Sequence, residues 1–177
     1  MQRNFRKSSS GIGQICVFAM LGAIMFASKF MMEALPNIHP VGMLTIAYTI
    51  VYRSRALIPL YVFIMLNGVF AGFNVWWLPY LYIWTILWVI TMLLPKNMPK
   101  AIGYVVYPVL CALHGMAFGI LYAPAQALFF GLNFEQTVAW IVAGLGFDVM
   151  HMVGNFCLGL LIIPTSEILK RLSRKHV

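Results

Sequence analysis

The chain has 177 residues, 62% of them hydrophobic and only 9% charged, with a mean hydropathy of +0.88. An average soluble domain is about 25% charged, so this composition excludes one and describes an integral membrane protein. The net charge of +8 does not mark a nucleic-acid surface, because the basic residues form neither one patch nor an arginine-rich arm and stand instead at the ends of apolar segments.

The N-terminal MQRNFRKSSS leads into an apolar run that continues to Leu35 without a small-residue cleavage site, so it reads as a retained span rather than a secretory signal. A crossing takes about 20 apolar residues for roughly 30 Å of hydrocarbon. On that ruler the chain reads as an all-α membrane protein of one domain, with spans at 11–34, 39–52, 56–73, 76–94, 101–130 and 149–169. Arg3, Arg6 and Lys7 precede the first span, and Arg53 and Arg55 separate the second from the third. Lys96 and Lys100 lie between the fourth and fifth, and Lys170, Arg171, Arg174 and Lys175 follow the sixth. Of the twelve basic residues only Lys29 falls on the other side, which by the retention of basic loops in the cytoplasm predicts six spans with both termini inside.

The outer loops differ in chemistry. "EALPNIHPVG" is a Pro-bracketed turn, "GFNVWWLPY" is aromatic and uncharged, and "GLNFEQTVAWIVAGLG" holds Glu135. Trp76, Trp77 and Tyr80 suit an interfacial anchoring belt or a ligand contact equally well. Lys29 and Glu33, four apart, are placed to pair at the end of the first helix. Cys16, Cys111 and Cys157 have no CxxC spacing and read as small core residues.

Gly144 and Gly146 before Asp148 predict a helix break, with residues 134–146 as an outer lid or re-entrant segment and Asp148 as the N-cap of a last helix. Such a helix to Leu169 is about 31 Å long, enough to cross. His151 and Asn155 follow Asp148 on one helical face and point inward, and polar groups at membrane depth face a bundle interior or a wet cavity, which makes a functional site the first hypothesis. Asp148 as a plain cap, with the other two as interhelical glue, is the structural alternative. On the first helix "AMLGAIMFASK" sets Ala19, Ala23 and Ala27 four apart, a small-residue stripe that lets another helix approach closely.

Six short spans, both ends inside, the alanine stripe, and a glycine-led, aspartate-started last helix ending in "LIIPTSEILKRL" resemble an S component of an energy-coupling factor (ECF) transporter. The resemblance implies a vitamin or related micronutrient bound at the outer side, in the plasma membrane of a prokaryote. It also implies docking on a membrane scaffold subunit that carries two cytoplasmic ATPases, with Ala19, Ala23 and Ala27 facing that scaffold. The chain has no G-x-x-x-x-G-K-[ST] loop, so ATP would be used by the partner subunits, with no cofactor or metal in this chain and no enzymatic activity of its own.

The residues expected to line the substrate site are Trp77, Tyr80 and Trp84 on the fourth helix, His114, Tyr122 and Gln126 on the fifth, and Asp148, His151 and Asn155 on the last. The rings offer stacking area to a flat heterocycle. The histidines and the asparagine offer directional hydrogen bonds, although His114 suits a structural hydrogen bond as well as a ligand contact. Few fixed charges point to a neutral or weakly charged ligand. Two other classes compete: a stand-alone secondary transporter, which would show inverted repeats and ion-coupling acids, and an intramembrane enzyme using Asp148 and His151, which would need a nucleophile or metal triad beside them.

Overall fold

The computed structural model describes residues 2–35 and 37–176. Pro36, and the side chains of Arg3, Arg6, Lys7, Arg174 and Lys175, lie outside the described residues. The elements are α1 (Gln2–Met31), α2 (Val41–Tyr52), a 3-10 turn (Arg53–Ala56), α3 (Leu57–Ala71), α4 (Tyr80–Leu93), α5 (Lys100–Met116), α6 (Phe118–Phe130), α7 (Phe134–Gly159) and α8 (Ile162–His176). Four helical stretches are long and apolar enough to cross a membrane: Gly11–Met31, Val41–Ala71, Lys100–Phe130 and Phe134–Gly159; α4 is a shorter apolar helix.

Val41–Ala71 is not straight. Arg53 takes φ 53° and ψ −121°, and the chain reverses there. Tyr52 and Tyr48 of α2 meet Phe18 and Leu21 of α1 in antiparallel order. Along α3 the order is parallel, Gly22 facing Pro59 and Val62 while Phe26 and Phe30 face Phe70. The reversal divides the chain between 39–52 and 56–73 as the basic residues suggest, but α2 and α3, with 12 and 15 residues, reach only about 18 to 23 Å each and fall short of the hydrocarbon thickness.

Burial explains why α2 lacks a polar face. Every residue from Val41 to Thr49 is buried, because α4, α5, α7 and α8 pack around it. Its hydroxyls turn back onto their own helix, Thr45 Oγ1 donating to the Val41 carbonyl at 2.8 Å and Thr49 Oγ1 to that of Thr45 at 2.6 Å, which satisfies them without a partner helix. Against α3 it is Gly22 that seats the neighbouring helix: a Cβ there would lie 2.6 Å from Val62 Cβ and 2.8 Å from the Pro59 carbonyl oxygen. Ala19, Ala23 and Ala27 lie on the exposed side of α1.

The two ends of the bundle are chemically distinct. At one end Arg53 Nη2 donates to the Met92 carbonyl at 2.8 Å, Trp88 Nε1 to that of Arg53 at 3.1 Å, and Arg55 Nη1 to Gln14 Oε1 at 3.2 Å; Lys100 pairs with Glu167 there. Lys29, Asn37, Trp76 and Trp140 occupy the opposite end. Lys29 and Glu33 form no ion pair among the described residues, because α1 ends at Met31 and Glu33 lies beyond the helix in an exposed turn. Of the cysteines only Cys111 is a core residue; Cys16 and Cys157 lie on exposed helix faces.

The expected break at Gly144 and Gly146 is overturned. Phe134–Gly159 is one continuous helix, so residues 134–146 are not a separate lid, no helix begins at 149, and the turn falls instead between α7 and α8, where Leu161 N–H bonds the Leu158 carbonyl at 3.0 Å. Asn133 is the N-cap: its side chain accepts from Gln136 N–H at 2.9 Å while Gln136 Oε1 accepts from Asn133 N–H at 2.9 Å, a reciprocal box that anchors the start of the helix. Glycine inside a helix costs only about 1 kcal/mol, and in hydrocarbon an unpaired backbone costs more, so two glycines do not outweigh the ladder. A Cβ at Gly144 or Gly146 would meet nothing within 4 Å.

Gly144→Ala and Gly146→Ala should therefore leave stability unchanged or raise it, by up to about 1 kcal/mol each. Gly159→Ala, whose Cβ would lie 2.8 Å from Pro108 Cα, should lower it, by about 1–3 kcal/mol. Thermal denaturation of the detergent-solubilised variants distinguishes this from a break at Gly144–Gly146, where both alanines would be costly.

Candidate functional site

α7 runs antiparallel to α5 and α6, and glycines set the spacing. Gly159 lies against Pro108, Gly115 against the His151 backbone, where a Cβ would sit 2.9 Å from the carbonyl oxygen, and Gly119 against the Asp148 carboxylate. Close backbone approach of this kind is how membrane helices associate where lipid is as apolar as the side chains. Its consequence is that one face of α7 is drawn wholly inside: Asp148 is 4% exposed, His151 1% and Asn155 1%.

Asp148 does cap a helix, but not its own. The run from α5 to α6 is interrupted at Ala117, with φ −82° and ψ −2°, and Gly119 N–H donates to Asp148 Oδ1 at 3.1 Å. A carboxylate at the freed N–H groups of a helix start satisfies a donor and complements the helix dipole. A Cβ at 119 would fall on Asp148 Oδ2, so any larger residue there displaces the carboxylate. Asn155 Nδ2 donates to the Cys111 carbonyl at 3.1 Å, so α7 is tied to both α5 and α6.

Between these two ties lies a cluster of rings. The His151 ring centre is 4.9 Å from that of Phe118 and 5.1 Å from that of His39. Trp84 is 5.8 Å from His39, 5.4 Å from His114, 5.7 Å from Phe118 and 6.1 Å from Tyr80. His114 Nε2 is 3.1 Å from the Ile83 carbonyl oxygen; that oxygen only accepts, so the proton is on Nε2. His39 precedes α2 at the end of the bundle remote from Arg53 and Arg55.

The cluster is distinguished by what it leaves unpaired. Among the described residues, the buried side-chain nitrogen and oxygen atoms without a hydrogen-bond partner are His39 Nδ1, Trp84 Nε1, His114 Nδ1, Asp148 Oδ2, both His151 nitrogens and Asn155 Oδ1. An unpaired buried polar atom costs about 1–3 kcal/mol, and folded proteins contain few. Here they fall on the ring cluster and on the two α7 residues flanking His151. Among the described residues no group of three or more His, Cys, Asp or Glu side chains is placed to hold a metal ion.

Most of the expected site residues meet here: Tyr80, Trp84, His114, His151 and, on the same face of α7, Asp148 and Asn155. Trp77 does not, since its Nε1 is spent on the Ile64 carbonyl at 2.7 Å and its ring on Phe73. Tyr122 stands at the edge, its hydroxyl donating to the Trp76 carbonyl at 3.1 Å and its ring stacked 5.9 Å from that of Trp140. Gln126, half-buried one turn further along α6, makes no side-chain hydrogen bond among the described residues. His39 and Phe118 were not singled out from the sequence. His39 adjoins Pro40 just before a fully buried helix, a signal that could have found it; Phe118 is one more aromatic in an apolar run, and the interruption at Ala117 that aims it inward leaves no trace in composition.

Gly119→Ala should displace the Asp148 carboxylate and Asp148→Ala should leave the Gly119 N–H unpaired, each lowering stability by about 1–2 kcal/mol. Because both act on one hydrogen bond, the double variant should cost no more than the larger single effect; additive losses in a thermal-denaturation cycle would contradict the cap.

No family model matches the chain, and no curated protein or solved structure proved similar to it.

Proposed function

We propose that this chain is the substrate-binding membrane subunit of an ECF-type importer, taking up a vitamin or related small heterocyclic micronutrient at the outer side of a prokaryotic plasma membrane. The observation that carries this reading is the concentration of unpaired, buried donors and acceptors among aromatic rings in the half of the bundle remote from the basic residues. By the retention of basic loops that half faces outward, and convergent polar groups within an aromatic lining are the chemistry of a small-molecule site.

Two further features support it. Ala19, Ala23 and Ala27 are exposed along α1, leaving a small-residue face free for another helix, while α3 is seated through Gly22 on a different face. The sequence has no phosphate loop, so energy would come from a scaffold subunit and two cytoplasmic ATPases. In this reading α2, α3 and α4 count as three short spans completing six, with both termini cytoplasmic.

Purification of the full chain, mass spectrometry of any retained small molecule, and co-purification with an ECF scaffold and its ATPases test the proposal together. His151→Ala should weaken ligand binding at least about tenfold, the effect of losing one good buried hydrogen bond. Ala23→Leu should leave binding intact and impair ATPase-dependent uptake. Failure to retain any small molecule, or uptake that proceeds without the ATPases, would sink this reading.

A further inference from the structure

The partners already engaged determine what each unpaired atom of the cluster can do. Asn155 Nδ2 donates to the Cys111 carbonyl, which can only accept, so the free Oδ1 is an acceptor. His114 carries its proton on Nε2, facing the Ile83 carbonyl, so in the neutral ring Nδ1 is an acceptor. Asp148 Oδ1 takes the Gly119 N–H, leaving Oδ2, a third acceptor when the group is ionised. Against these, Trp84 Nε1–H is the one obligate donor. A neutral His151 supplies one donor and one acceptor, and His39 Nδ1 takes either role with its tautomer.

With His151 counted once on each side, four of the unpaired atoms accept and two donate, His39 Nδ1 being open to either role. Among the described residues no lysine or arginine side chain makes a hydrogen bond to the cluster. The faces of Trp84, Tyr80 and Phe118 add negative π density, which favours cations. A carboxylate or phosphate would bring its lone pairs against Asp148 Oδ2, Asn155 Oδ1 and His114 Nδ1.

Resting on the reading of this cluster as a substrate site, we infer that its ligand is a flat, nitrogen-rich ring system that presents N–H donors to α7, is neutral or cationic, and carries no carboxylate or phosphate where it meets the cluster. An exocyclic amine or amidine directed at Asp148 Oδ2 would satisfy that oxygen, a second N–H at the other end of the ring system would be needed for Asn155 Oδ1, two turns away at about 10 Å along α7, and a ring nitrogen would accept from Trp84. A hydrogen bond from a ligand N–H to a carboxylate is about twice as strong as a neutral pair, so Asp148 carries most of the discrimination.

The test uses the full chain in detergent and two matched probe pairs, benzamidine against benzoate and 2-aminopyrimidine against pyrimidine-2-carboxylate, read by tryptophan fluorescence and thermal shift. The amidine and the amine should act at concentrations at least about tenfold lower than their carboxylate counterparts. Asp148→Asn keeps an oxygen for Gly119 N–H and offers N–H in place of Oδ2, so it should shrink that ratio by about tenfold. Carboxylates binding as well as or better than the amines would overturn the inference while leaving the receptor reading intact, and this comparison needs no variant. An unchanged ratio in a folded Asp148→Asn protein would overturn the role given to Oδ2. If no probe binds and no small molecule is retained, the receptor reading falls and this inference with it.

Discussion

The close approach of α7 to α5 and α6 governs the rest of the molecule. Gly115, Gly119 and Gly159 remove the side chains that would hold the helices apart, and the burial that results takes Asp148, His151 and Asn155 out of reach of water and lipid headgroups alike. Buried polar atoms must then find partners within the protein or in something it binds. Asp148 and Asn155 each find one, on α6 and α5, and each keeps one oxygen unengaged; His151, between them, keeps both nitrogens. The same contacts that lock the helices together leave unpaired polar atoms on the face of α7 that carries His151, whose ring meets Phe118 of α6 and His39 ahead of α2.

Much of the architecture was legible in the chain because hydrocarbon restricts what a chain can do: backbone polar groups must pair internally, so apolar runs become helices, and basic residues mark their ends. The division at Arg53–Arg55 follows from that rule. The path of α7 does not, because Gly144 and Gly146 were weighed by their behaviour in water. In an exposed helix they suggest a break; in a membrane helix with a capping box at Asn133, the intact hydrogen-bond ladder outweighs the propensity cost.

The site was partly legible for the same reason. A polar residue in a run this apolar has to be explained, and His114, Asp148, His151 and Asn155 stand out on that ground. Their identities as donor or acceptor did not, since these depend on the Cys111 and Ile83 carbonyls and the Gly119 amide, which come from other helices. Asp148 illustrates the gap. Its residue type suggested the N-cap of its own helix, whereas it lies inside α7 and accepts from Gly119 of α6, 29 positions earlier in the chain, a pairing created only by the α6–α7 packing.

A bound small molecule would complete the unpaired atoms around His151. A high-resolution experimental structure of the full chain, purified without removing native ligand, tests this most directly. Density for a flat non-protein group is expected within hydrogen-bond distance of His151 or Asp148 Oδ2, bordered by Trp84 and Phe118. His151 nitrogens and Asp148 Oδ2 bonded only to protein groups or ordered water, with no non-protein density beside them, would contradict it.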